Sequence, residues 1–128
     1  MFTVDQVRQA HSKVRNGSDF PAYVKDIQLI GVHYYETYVA DRHTEYFGVH
    51  GFKVSTRPEP EILLISDTLN IEQFRNSLLI HQRGRTNYLT FCRDCARAGI
   101  EKWAVSLERM TCTYFDKSGA EILTEIIA

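Results

Sequence analysis

The sequence predicts a single α+β domain made of two tandem helix-helix-strand-strand-strand repeats, with an antiparallel sheet covered by helices. Three observations predict it. The chain aligns with itself: a shift of 67 residues sets Val4-Asp5-Gln6-Val7-Arg8 on Ile71-Glu72-Gln73-Phe74-Arg75 and Gly17 on Gly84. A shift of 68 then carries Asp26 onto Asp94, Tyr35 onto Trp103, Tyr46-Phe47 onto Tyr114-Phe115 and Gly51 onto Gly119. Each copy opens with two apolar stripes at helical spacing, and each closes with short segments rich in Val, Tyr, Phe and Thr. The one-residue change of shift falls between two predicted helices, where an insertion costs little. The copies span 3–56 and 70–126 of the 128 residues.

Thr3 with Gln6 has the spacing of a capping box ahead of Val4, Val7 and Val14, and Gly17 is a stop, which predicts a first helix over 4–16. Ser18 or Asp19 caps a second helix, Pro21 suits its first turn, Tyr23, Val24 and Ile27 form its stripe, and Gly31 ends it. Strands follow over 32–39, 44–47 and 52–56, with turns near Asp41-Arg42 and over 48–51. Arg57-Pro58-Glu59-Pro60 reads as a rigid connector and 62–66 as a short extra strand. Asn70 with Gln73 then restarts the pattern, Ile71, Phe74 and Leu78 make a stripe, and Gly84 stops it. Asn87 caps a fourth helix with Tyr88, Phe91, Cys92 and Cys95 on one face, closed by Gly99. Strands are expected over 100–109, 111–115 and 120–126, the last two joined by Asp116-Lys117-Ser118-Gly119.

At 44% hydrophobic residues the chain can bury a core without a disulfide or structural metal. Its net charge of -1, from 15 basic and 16 acidic side chains, lacks the basic excess of a dedicated nucleic-acid binder. The start, Met-Phe-Thr-Val-Asp-Gln-Val, has no signal-peptide pattern, and the longest aliphatic run is Ile62-Leu63-Leu64-Ile65, so a cytoplasmic protein without membrane contact is expected. Three cysteines without an export signal argue for reduced thiols.

Cys92-x-x-Cys95 has a spacing that serves metal binding or disulfide exchange. The alignment sets these cysteines on Val24 and Ile27, which points to core packing, so no metal and no cofactor are expected. His81 falls on Val14, a titratable group where the first copy has a hydrophobe; it is read as a core histidine near a helix end or as a ligand-binding or catalytic one. Asp41-Arg42-His43-Thr44-Glu45-Tyr46 packs an acid, an imidazole and a phenol around a turn. Alternation sets His43 and Glu45 on one face and Thr44 and Tyr46 on the other. On the strand 32–39, Tyr34, Glu36 and Tyr38 share the face opposite Tyr35, Thr37 and Val39, and the second copy has Lys102, Ala104 and Ser106 in their place. If that face is open, the first half presents tyrosines flanking a carboxylate, a combination suited to contact with a partner or small molecule. Arg75, Arg83, Arg85, Arg93 and Arg97 read as the solvated outer faces of helices three and four.

Thr3-Val4-Asp5-Gln6-Val7, Tyr38-Val39-Ala40-Asp41 with His43-Thr44 and Tyr46, His81-Gln82 with Gly84, Thr86 and Tyr88, Phe91-Cys92, Glu101-Lys102-Trp103, and Met110-Thr111-Cys112-Thr113-Tyr114 span essentially the whole chain. In these motifs it resembles the YbcV-like and YdfO-like prophage-associated family of enteric bacteria, a family of unknown function. Phe115 departs from the tyrosine expected there, and Cys95 from a small residue, which weakens a redox role for the CxxC. The resemblance implies a small α+β fold and a prophage accessory context; it supplies no substrate and no catalytic residues.

Two function classes follow. The favoured expectation is a non-enzymatic binding or regulatory module that meets a host or phage protein, or a small molecule, through Tyr34, Glu36 and Tyr38, with His43 and Tyr46 beside them. The alternative is a small enzyme or small-molecule-binding domain with its site at Asp41, His43, Tyr46 and His81. A pocket joining His43 to His81 would favour the second. A homodimer is compatible with either.

Overall fold

In the computed structural model, which describes residues 1–15 and 17–127, the chain runs α1 (Val4–His11), α2 (Phe20–Leu29), β1 (Tyr34–Tyr38), β2 (Thr44–Phe47), β3 (Lys53–Ser55), α3 (Ile71–Gln82), α4 (Tyr88–Ala98), β4 (Ile100–Ser106), β5 (Thr111–Asp116) and β6 (Glu121–Ile126), with one-turn 3-10 segments at Gly17–Asp19 and Val49–Gly51. The caps explain where the helices begin. Thr3 and Gln6 form the full reciprocal box, with Thr3 Oγ1 accepting from Gln6 N and Gln6 Oε1 accepting from Thr3 N. Asn70 and Asn87 each accept one N–H, from Gln73 and Thr90. At α2 the Asp19 carboxylate accepts the Arg15 N–H, and Pro21 occupies the first turn.

The six strands form one antiparallel sheet in the order β3-β2-β1-β4-β5-β6. Helix-helix-strand-strand-strand occurs twice, and each set of three strands steps outward from the central β1–β4 pair. In that pair Glu36 stands opposite Ala104, with Tyr34 opposite Ser106 and Tyr38 opposite Lys102. Glu36 therefore faces the residue on which the 68-residue shift sets it, and the flanking pairs exchange places.

Alternation along the strands buries one face. Tyr35, Thr37, Tyr46, Trp103, Val105 and Tyr114 lie under the helices, while Tyr34, Glu36, Tyr38 and Phe47 stay half-buried on the other side. The helices meet this face through rings: Phe74 packs on Tyr114 at 4.9 Å and Phe91 on Trp103 at 5.7 Å. The stripes Tyr23-Val24-Ile27 and Phe91-Cys92-Cys95 fill one continuous core with them. Cys92 and Cys95 are buried free thiols, and burial raises both pKa values, that of Cys92 to about 12.

The main departures from the sequence expectation are two shortened elements and one absent strand. Helix α1 ends at His11, because Lys13 N and Val14 N bond back only three residues, to Ala10 O and His11 O, and the helical ladder stops. The stretch 62–66 is not a strand. It spans from sheet to helix on two isolated bonds, Leu63 N to Ala40 O and Ser66 N to Ala96 O, so it has no neighbouring strand to extend a ladder. Strand β4 ends at Ser106, whose Oγ accepts the Arg109 N–H, and Met110 turns the chain at φ 52°. Among the described residues no helix is long and apolar enough to cross a membrane.

Candidate functional site

The two faces of the sheet carry different chemistry. On the open face Glu36 is the hub of a hydrogen-bonded group. Tyr34 Oη donates to its Oε1 at 3.0 Å, Tyr38 Oη to its Oε2 at 3.1 Å, and Lys102 Nζ to Oε2 at 2.8 Å. Lys102 also lies over the Tyr38 and Phe115 rings. Partial burial pushes the Glu36 carboxyl up, but the Lys102 ammonium and the two phenols outweigh it and hold it below the usual carboxylate range. Burial and the nearby Glu36 carboxylate raise the Tyr38 phenol to about 12.

His43 extends this group toward β3. Its ring stacks flat on Tyr38 at 4.6 Å, with Nδ1 2.6 Å from Asp41 Oδ1 and Nε2 3.2 Å from Glu45 Oε2. Burial lowers the imidazole pKa, yet the two carboxylates outweigh that and raise it. Glu45 is held on its other side by Lys53 at 3.1 Å. The ladder Tyr34-Glu36-Tyr38 thus lies on the uncovered face, with each polar tip engaged inside the domain.

The helix-covered face holds a cavity of about 560 Å³ between sheet and helices. Its floor is Tyr35, Thr37, Thr44, Tyr46, Trp103 and Tyr114. Tyr23 of α2 and Tyr88 and Phe91 of α4 form walls, while Leu78 and His81 of α3 close another side. The hydroxyls on this surface pair with one another: Tyr23 with Tyr46 at 3.3 Å, and Thr37 with Thr44 at 2.8 Å. Of its charged side chains, Arg15 belongs to an exposed residue, while Glu125 is half-buried and bound by the Gln82 amide. Burial lowers the pKa of both lining histidines, His11 and His81, which leaves them neutral near pH 7.

His81 is fixed from two sides. Its ring stacks on Phe91 at 4.3 Å and 10° from parallel, and Nδ1 lies 3.1 Å from the Thr86 carbonyl oxygen and 3.0 Å from Thr86 Oγ1. A carbonyl oxygen only accepts, so the ring proton sits on Nδ1 and Nε2 is left as a bare acceptor. Nε2 has no hydrogen-bond partner among the described residues, and the His81 side chain lines the cavity.

The quartet Asp41, His43, Tyr46 and His81 is therefore not one site. Strand alternation sends Tyr46 to the cavity with His81, while Asp41 and His43 join Tyr38 on the opposite face. A pocket does hold His81, but His43 takes no part in it. The sequence reading missed His11, Tyr23, Tyr35 and Trp103 as cavity residues. One signal was present: Tyr35, Thr37, Thr44 and Tyr46 put four hydroxyls on a face whose alternation marks it as core, more than packing alone needs.

Among the described residues no group of three or more His, Cys, Asp or Glu side chains is arranged to hold a metal ion. A comparison with curated proteins finds none that matches. Residues 8–126 match the model of a family described as a protein of unknown function, DUF1398, and the chain belongs to that family.

Proposed function

We propose that the domain is a non-enzymatic binding module whose ligand is a small, ring-bearing molecule held in the cavity between sheet and helices. One observation carries this reading: a 560 Å³ space lined by aromatic rings and paired hydroxyls. That volume lies in the range of small-molecule sites, and apolar walls with a few convergent polar groups are the usual composition of such sites. The open face supports a partner role less well. The tips of Tyr34 and Tyr38 are already bound to Glu36, and a partner would have to displace those bonds. The prophage accessory context remains part of the proposal and rests on the residue resemblance.

Trp103 is the single tryptophan and lines the cavity, so its emission reports occupancy. Adding para-propylphenol should shift or quench that emission in a saturable way. Leu78→Phe extends a ring into the same space and should abolish the response while keeping a cooperative melt. A saturable response unchanged in Leu78→Phe, or no response in the parent protein, would refute the reading.

A further inference from the structure

The chemical class of that ligand can be read from the hydrogen-bonding capacity of the cavity, on the assumption that the cavity is the binding site proposed above. From the fixed tautomer of His81 and the aromatic floor of the cavity, we infer that the cavity selects a neutral planar ring bearing a hydroxyl or N–H group, which donates to His81 Nε2.

Three features of the site lead there. The floor rings and hydroxyls are uncharged, and the one carboxylate among the lining residues, half-buried Glu125, is already bound by the Gln82 amide, so a charged group lying on the floor would lose its hydration with little compensation. Trp103, Phe91, Tyr35 and Tyr46 present flat apolar surface, which a planar ring covers better than a branched aliphatic group. The third feature sets polarity. Thr86 holds the His81 proton on Nδ1 and Phe91 holds the ring plane, so Nε2 keeps an unpartnered lone pair in a fixed direction on a side chain that lines the cavity. A ligand acceptor at that point would meet lone pair against lone pair, whereas a donor completes the histidine.

The hydroxyl pairs do not alter the preference. In each of Tyr23–Tyr46 and Thr37–Thr44 one hydroxyl donates to the other, which leaves one proton and free lone pairs per pair. These groups accommodate either polarity at the floor. His81 discriminates, because its exposed nitrogen can only accept.

The experiment compares para-propylphenol with its methyl ether, which keeps the ring and the tail but has no donor, by titration calorimetry on the full chain. The phenol should bind about tenfold more tightly than the ether, the worth of one neutral hydrogen bond. His81→Phe keeps a ring stacked on Phe91 and removes the acceptor; there the phenol should lose its advantage and the two compounds should bind alike. Equal binding of phenol and ether to the parent protein overturns the donor inference and leaves the cavity reading standing. Binding of neither ring overturns both. A preference for the phenol that survives in His81→Phe shows that the hydroxyl is read elsewhere and overturns the role given to His81.

Discussion

Thr37 Oγ1 and Thr44 Oγ1 lie 2.8 Å apart on the buried face of the sheet, directly across the β1–β2 pair. Each side chain is almost fully buried, so each hydroxyl depends on the other for a partner. Thr37→Val should therefore cost about 1–2 kcal/mol by stranding the Thr44 hydroxyl. The double variant Thr37→Val with Thr44→Val should cost less than the sum of the two single changes. Urea unfolding of the four proteins gives the coupling, and strict additivity would show that the cavity solvates these hydroxyls independently.

Tyr38 joins the two halves of the open face. Its ring stacks on His43, Lys102 lies over it at 5.6 Å, and its hydroxyl donates to Glu36. Read from sequence as a contact residue on a bare face, it would be removable at a cost within about 1 kcal/mol. With these three contacts, Tyr38→Ser should cost about 2 kcal/mol or more. Tyr38→Phe keeps the stack and should recover most of that loss. A thermal melt of Tyr38→Ser within a degree or two of the parent would return the face to a contact role.

The fold was legible because its signals are local. The capping box at Thr3, the asparagine caps at 70 and 87 and the alternation of Tyr34-Glu36-Tyr38 against Tyr35-Thr37 each follow from a few neighbouring residues. The site was legible only in part. Alternation separates His43 from Tyr46 within one strand, but whether His81 meets Tyr46 or His43 depends on which sheet face α3 covers, a long-range fact absent from any short window. The cavity was hidden for a related reason. A space between helices and sheet is set by how closely the layers approach, and no single side chain encodes that distance.

Gly99 ends α4 at φ 91°, and a Cβ there would meet Thr68 O at 2.9 Å and Leu69 Cα at 3.0 Å. Both neighbours are backbone, so no side chain can swing aside. Gly99→Ala combines left-handed strain of about 1–2 kcal/mol with that collision, and should destabilise by more than about 2 kcal/mol. Denaturant unfolding measures it; a loss below about 1 kcal/mol would mean that the 68–69 segment yields. Gly119 also has positive φ but no atom within 4 Å, so Gly119→Ala should show the strain alone.

The Asp41-His43-Glu45 cluster gives stability a pH window. The His43 pKa is raised in the fold from 6.5, so its contribution is complete below that value and is lost as pH rises through the raised folded pKa. The Asp41 and Glu45 pKa values are lowered from 3.8 and 4.5, so their contributions are complete above those values and are lost as pH falls through the folded ones. The cluster is therefore fully effective between about pH 4.5 and 6.5 and weakens on both sides. Raising the pH from 6 to 9 should narrow the difference in melting temperature between the parent and His43→Gln, because the parent loses its imidazolium while glutamine does not titrate. At low salt the narrowing should be larger, since the pairs are partly exposed and screened by ions. A difference that stays constant from pH 6 to 9 would mean that the neutral ring, stacked on Tyr38, provides the whole contribution of His43 and that its charge provides none.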